Sequence, residues 1–160
     1  RDMTAVLRAA EQMGGRIYSS QEGIYVQAPA RPVPMRLVTE PYPGFPTDLQ
    51  SVALAVETLG CGCSRIEEEI FENRFRIVGE LEKMGAEIRQ ENAKSVLVRG
   101  VEQLHGTHVE AKELRGGAAL VVAGLMAEGE TVVSGCPYIY RGYENICRDF
   151  RELGARVVSV

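Results

Sequence analysis

The sequence predicts an α/β fold assembled from repeated β-α-β-α-β-β units, and three observations carry that expectation. An apolar pattern at helical spacing, closed by glycine and followed by a β-branched residue, occurs at Met13-Gly14-Gly15-Arg16-Ile17, at Met84-Gly85-Ala86-Glu87-Ile88 and at Leu153-Gly154-Ala155-Arg156-Val157. Its glycines Gly14, Gly85 and Gly154 stand 71 and then 69 positions apart, and a second helix pattern, closed by Gly60 and again by Gly129, recurs at 69. Short β-rich runs separate these helices, and self-similarity at a fixed period marks a fold built by duplication.

The elements follow in order. Val6, Leu7, Ala10 and Met13 share one helix face, and Gly14 suits the left-handed residue that ends a helix. Ile24, Tyr25 and Val26 read as a strand before Pro29, Pro32 and Pro34. Residues 36–39 form the next strand, and Leu49, Val52, Ala53, Val56 and Leu59 the stripe of a helix that opens at Pro43-Gly44-Phe45-Pro46-Thr47-Asp48. A strand over 64–70 precedes a helix opening at Glu72-Asn73-Arg74-Phe75, and the acidic run Glu67-Glu68-Glu69 reads as a solvated strand of mixed facing.

Strands over 95–98 and 108–111 lead to a helix that opens at Glu113-Leu114-Arg115-Gly116-Gly117 and buries Ala118, Val121, Val122, Leu125 and Met126. A strand over 131–134 and a helix opening at Arg141-Gly142-Tyr143-Glu144 complete the pattern, with a strand-like run at the end. The expected division is the trailing half of one repeat (1–33), a second repeat (34–99) and a third (100–160). Right-handed βαβ connections put the helices of each unit on one side of its sheet.

Composition excludes several function classes. A formal charge of -4 and a pI near 5.3 give no general attraction for nucleic acid or anionic lipid, so an anionic ligand must be held by a local group of donors. The apolar stretch 118–127 is broken by Gly124 and is too short to cross a bilayer, and the first residues lack a signal-peptide pattern, which points to a cytoplasmic protein. Cys61 and Cys63 are separated by one residue, outside the spacing of zinc knuckles, so these two and Cys136 and Cys147 are expected as reduced structural thiols. His105 and His108 flank a turn without a second ligand pair, and neither a metal nor a cofactor is expected. The chain begins at Arg1 and stops inside a strand-like run, as a piece cut from a longer sequence would.

Four helix openings occupy equivalent places in the repeats, so the fold should bring them to one end of the molecule. Helix amino termini present unpaired N–H groups and a positive dipole end, and Arg74, Arg115 and Arg141 add planar forks for phosphate or carboxylate. Taken singly, Thr47 and Asp48 also fit plain helix-start residues, and Arg74 and Arg141 fit surface partners of Glu72 and Glu144.

At Phe45-Pro46-Thr47-Asp48, Phe71-Glu72-Asn73-Arg74-Phe75 and Arg141-Gly142-Tyr143-Glu144 the chain resembles the UDP-N-acetylglucosamine enolpyruvyl transferases, enzymes of peptidoglycan precursor synthesis, and the similarity runs along essentially all of it. The resemblance implies two domains, each of three βαβαββ units with pseudo-three-fold symmetry, and substrates held between them; the present chain would be the carboxy-terminal part, incomplete at its start. By the same resemblance Asp48 is the proposed general base at the sugar 3-hydroxyl, Ile70, Phe71 and Arg74 lie by the UDP-sugar, and Arg141 holds phosphoenolpyruvate; Arg115 is a further cation whose planar fork suits the same anion. The proton donor, usually a cysteine on a mobile loop, would belong to the other domain, so the chain alone should not turn over. The family's aspartate before Leu-Arg is Glu113 here, one methylene longer, which bears on its catalytic role. Enolpyruvyl transfer to shikimate 3-phosphate, or a catalytically silent paralogue, are the competing readings.

Overall fold

The computed structural model describes residues 3–159. Helix α1 (Thr4–Gln12) is followed by the hairpin β1 (Arg16–Ser19) and β2 (Ile24–Gln27). Next come β3 (Arg36–Val38), a 3-10 turn (Thr47–Leu49), α2 (Gln50–Glu57), β4 (Cys63–Glu67), α3 (Val78–Lys83), β5 (Glu87–Asn92) and β6 (Ser95–Arg99), a β-α-β-α-β-β run. The chain then forms β7 (His108–Glu110), α4 (Leu114–Met126), β8 (Val132–Ser134), α5 (Cys136–Tyr140) and α6 (Ile146–Glu152).

In the middle run the strands lie in the order β3-β4-β6-β5, with β3 and β4 parallel and the other pairs antiparallel. A parallel pair needs a crossover, and α2 supplies it. The pair β7 and β8 repeats this geometry around α4. The two crossover helices pack on each other, and small residues are buried on both, Ala53 and Ala55 on α2 and Gly116, Gly117, Ala119 and Ala123 on α4. Leu54, Ile66, Leu81, Leu104 and Leu120 are sealed in the core between sheet and helices, each contributing about 1.5–3 kcal/mol by leaving water. A smaller cluster of Ala111, Ala118, Ile139 and Ile146 sits under α5 and α6.

The glycines of the triple motif share one backbone state: Gly14 and Gly85 have φ 93° and Gly154 φ 92°. That left-handed conformation strains any residue with a Cβ, which is why the motif carries glycine at each copy. After Gly14 and Gly85 the chain enters a hairpin. After Gly154, residues 155–159 have no strand partner among the described residues, contrary to the strand-like reading, because an extended segment becomes a strand only when a neighbour takes its N–H and C=O groups.

Long-range polar ties fix the layers. Arg31 donates to the carbonyls of Leu59 (3.0 Å), Gly60 (2.6 Å) and Val101 (2.9 Å), stapling the proline-rich connection to the end of α2. Glu57, fully buried, accepts the Ser64 hydroxyl at 2.5 Å and joins α2 to β4; burial pushes its carboxyl pKa up, only partly countered by that bond. No helix among the described residues is long and apolar enough to cross a membrane.

Candidate functional site

The site begins at the turn that feeds α2. Phe45 is buried, pairs with Thr39 in a β-bridge and accepts the Glu40 N–H, so the chain arrives at Pro46 held from behind. Thr47, Asp48 and Leu49 form a single 3-10 turn without a side-chain cap, which leaves the Asp48 carboxylate free to point outward. Its Oδ1 accepts from Nε of Arg115 on α4, and its second oxygen has no hydrogen bond to the described residues.

Across from it, β4 runs into the segment carrying Ile70, Phe71 and Arg74. The acidic run has the mixed facing expected of it, but Glu68 is 1% exposed and so is not solvated. Side chains alternate along a strand, and Glu68 follows Ser64 and Ile66 onto the buried face, whereas Glu67 and Glu69 turn outward to Arg36 and Lys94. Glu68 Oε2 accepts the Thr47 hydroxyl at 2.8 Å, and Oε1 accepts the N–H groups of Ile70 (2.9 Å) and Phe71 (3.0 Å). The helix expected from Glu72 starts only at Val78. Glu68 has taken two N–H groups ahead of it, and Asn73 is left-handed at φ 57°, a conformation asparagine tolerates better than most residues. The Arg74 guanidinium lies 4.7 Å from the centre of the exposed Phe71 ring, a cation–π contact that orders both.

At the start of α4, Glu113 is the N-cap. Its carboxylate accepts from the N–H groups of Arg115 and Gly116, a capping bond that meets donors the helix leaves unpaired. The residue before it, Lys112, bonds Glu80 of α3 at 2.9 Å, and Glu80 also accepts Lys83 (2.7 Å) and the Glu110 N–H (3.0 Å). Burial alone would raise the Glu80 pKa, but these bonds and the Lys112 charge outweigh it and hold the carboxyl down at about 2.

Arg141 is not at a helix amino terminus as expected; it follows α5 as its C-cap. Gly135, left-handed at φ 76°, and Pro137 start a short α5 that was not anticipated, and the helix expected from Arg141 begins only at Ile146, where Asn145 caps α6. Arg141 is exposed and has no ion pair among the described residues.

The segments do meet. Asp48 touches Arg115, Thr47 touches Glu68, Gly116 packs on Ile77 of the turn after Arg74, and Gly142 packs on Leu114 so closely that a Cβ there would collide. The segments carrying Asp48, Ile70, Phe71, Arg74, Glu113, Arg115 and Arg141 are thus linked to one another by contacts, through Glu68, Ile77, Leu114 and the Asp48–Arg115 pair. Among the described residues no cluster of His, Cys, Asp and Glu is arranged to hold a metal ion, and Cys61 and Cys63, expected as structural thiols, are exposed. The contributors that sequence reasoning missed are Glu68, detectable from its phase with Ser64 and Ile66, and the Thr47 hydroxyl, read only as a helix-start residue.

The sequence model of EPSP synthase (3-phosphoshikimate 1-carboxyvinyltransferase) matches residues 1–150. A UDP-N-acetylglucosamine 1-carboxyvinyltransferase of Desulfofundulus thermocisternus is 45% identical over 157 residues, which cover 98% of this chain and 64% of the relative. One from Symbiobacterium thermophilum is 44% identical over 97% of this chain and 36% of its own length, and one from Shewanella frigidimarina 43% identical over 99% and 38%. Two of these three relatives are therefore spanned over little more than a third of their length. Among solved structures, the enolpyruvyl transferase NikO from Streptomyces tendae superposes with a TM-score of 0.86 at 25% identity, covering 96% of this chain and 36% of that one. EPSP synthase from Acinetobacter baumannii gives a TM-score of 0.58 at 23% identity over 81% of this chain and 31% of that one, a likeness of fold.

Proposed function

The chain belongs to the EPSP synthase (3-phosphoshikimate 1-carboxyvinyltransferase) family, and from that premise we propose that it forms one wall of an enolpyruvyl transferase that moves the enolpyruvyl group of phosphoenolpyruvate to the 3-hydroxyl of UDP-N-acetylglucosamine. The observation that carries this reading is identity of 43–45% along nearly the whole chain to transferases named for that acceptor. In this proposal the rest of the polypeptide supplies the opposite wall, and the repeats divide at 1–33, 34–99 and 100–160.

Asp48 accepts the proton of the sugar hydroxyl on its open oxygen while Arg115 holds the other. The hydroxyl oxygen bonds to the central carbon of phosphoenolpyruvate, whose methylene takes a proton from a donor on the opposite wall. Phosphate then leaves the tetrahedral adduct as the C–O bond to it breaks and the methyl group returns a proton to the deprotonated donor on the opposite wall, which restores the double bond in the product. Arg141 and Arg115 face the phosphate and carboxylate as charge gathers there, and Ile70, Phe71 and Arg74 lie along the nucleotide sugar. Glu113, both of whose oxygens are occupied by helix N–H groups, serves by fixing the turn from which Arg115 projects rather than by proton transfer. The product is a peptidoglycan precursor, which places the protein in cell-wall synthesis, and through it in cell shape and division, in the cytoplasm.

The test is phosphate release by the full-length polypeptide that carries these residues. Release dependent on UDP-N-acetylglucosamine supports the proposal, whereas release with shikimate 3-phosphate alone assigns the other acceptor. Binding of neither acceptor identifies a silent paralogue. The 160 residues by themselves should release none, and turnover from them at the full-length rate would place the proton donor within this chain.

A further inference from the structure

The Glu68 carboxylate touches both halves of the proposed acceptor site, and nothing in the proposed chemistry uses it. One oxygen receives the hydroxyl of Thr47, the residue before Asp48. The other receives the backbone N–H groups of Ile70 and Phe71, which begin the segment proposed to lie by the sugar nucleotide. Glu68 is 1% exposed, so water does not compete for these bonds. By contrast Asp48 stands on a three-residue turn with a side chain 64% exposed, and its other lateral restraint is an ion pair to Arg115 at the surface, a kind of contact that fixes geometry weakly.

We infer that Glu68 is a positioning residue that holds Asp48 in register with the segment carrying Ile70 and Phe71, so that the base and the surface under the acceptor sugar move as one piece. The inference rests on the reading of Asp48 as base and of Ile70 and Phe71 as acceptor contacts. It deepens that reading by assigning a function to a buried acid and to the Thr47 hydroxyl. A displacement on the order of 1 Å between base and hydroxyl is enough to slow a positioned reaction roughly a hundredfold, so the clamp acts on the rate more than on binding.

Thr47→Val removes the hydroxyl at constant volume and Thr47→Ser keeps it. In the full-length protein, Thr47→Val is expected to lower kcat about tenfold or more while the Kd for UDP-N-acetylglucosamine stays within about threefold, and Thr47→Ser to restore the rate. Glu68→Ala cuts both arms: kcat should fall, KM for the nucleotide sugar should rise, and the Ile70 and Phe71 amides should exchange hydrogen faster. Glu68→Gln should recover most of this, since its carboxamide oxygen accepts the two amides and its NH2 can donate to the Thr47 oxygen. If Glu68→Ala fails to fold, the Thr47 pair decides. Thr47→Val at the wild-type rate, or Thr47→Ser as slow as Thr47→Val, overturns the inference. Should the wild-type protein release no phosphate with UDP-N-acetylglucosamine, the functional reading fails separately. The clamp is then judged by exchange, and unchanged exchange of the Ile70 and Phe71 amides in Glu68→Ala overturns it.

Discussion

The starts of α2 and α4 occupy equivalent places in two repeats, yet they use their acidic residues in opposite ways. At α4, Glu113 folds back onto its own helix and accepts two N–H groups, and Lys112 beside it is held by buried Glu80. At α2, a 3-10 turn takes the place of a capped first turn, and Asp48 reaches outward to Arg115. Duplication therefore supplied two similar scaffolds, one closed by capping and the other left with an outward-facing carboxylate, the one proposed as the base. The longer side chain of Glu113 fits this division, because it can curl back to Gly116 while its backbone stays extended at φ -162°.

The comparison can be broken most directly at Asp48. Asp48→Asn should reduce kcat by about 10²–10⁴-fold in the full-length enzyme, with the unfolding midpoint hardly changed, because an exposed side chain contributes little to stability. Equal losses from Asp48→Asn and Glu113→Gln would erase the distinction between the two helix starts.

Arg115 joins the two starts, and on the proposed function Arg115→Met should cost roughly 10–100-fold in kcat/KM through loss of a charged partner for Asp48 and for the proposed substrate anion. Rescue by Arg115→Lys should be partial, since an ammonium cannot reproduce the planar fork.

A third measurement probes the closed start through pH. Because the Glu80 carboxyl is held at about 2, below its ordinary 4.5, its ionised form stabilises the folded state. That contribution, at most about 3 kcal/mol, is complete above pH 4.5 and is lost as the pH falls through about 2. Urea unfolding between pH 6 and pH 2 should show the loss, and Glu80→Gln should flatten this part of the profile. The smallest effect is expected from Glu113→Ala, about 1 kcal/mol of stability from the missing cap, measured by thermal unfolding.

Much of the fold was legible because its signals are local. Strands expected over 36–39, 95–98, 108–111 and 131–134 are found within a residue or so as β3, β6, β7 and β8, and the three motif glycines are all left-handed. The second helices were less so. The apolar periodicity across 72–83 and 141–152 could not register that Glu68 would consume the N–H groups of Ile70 and Phe71, or that Gly135 and Pro137 would start a separate helix. Acidic runs are usually solvated, and only the strand's alternation hinted that the middle glutamate faces inward.

The sequence by itself determined the repeat, its helix stops and the residue types offered at each helix start, because periodicity and glycine placement act through the nearest turns of the chain. Tertiary structure decided what those residues do. It brought Arg115 to Asp48 across 67 positions and Glu68 to Thr47 across 21, and it turned Glu113 inward as a cap. Such pairings depend on which faces are buried together when the layers close, and a linear pattern does not contain that information until the layers exist.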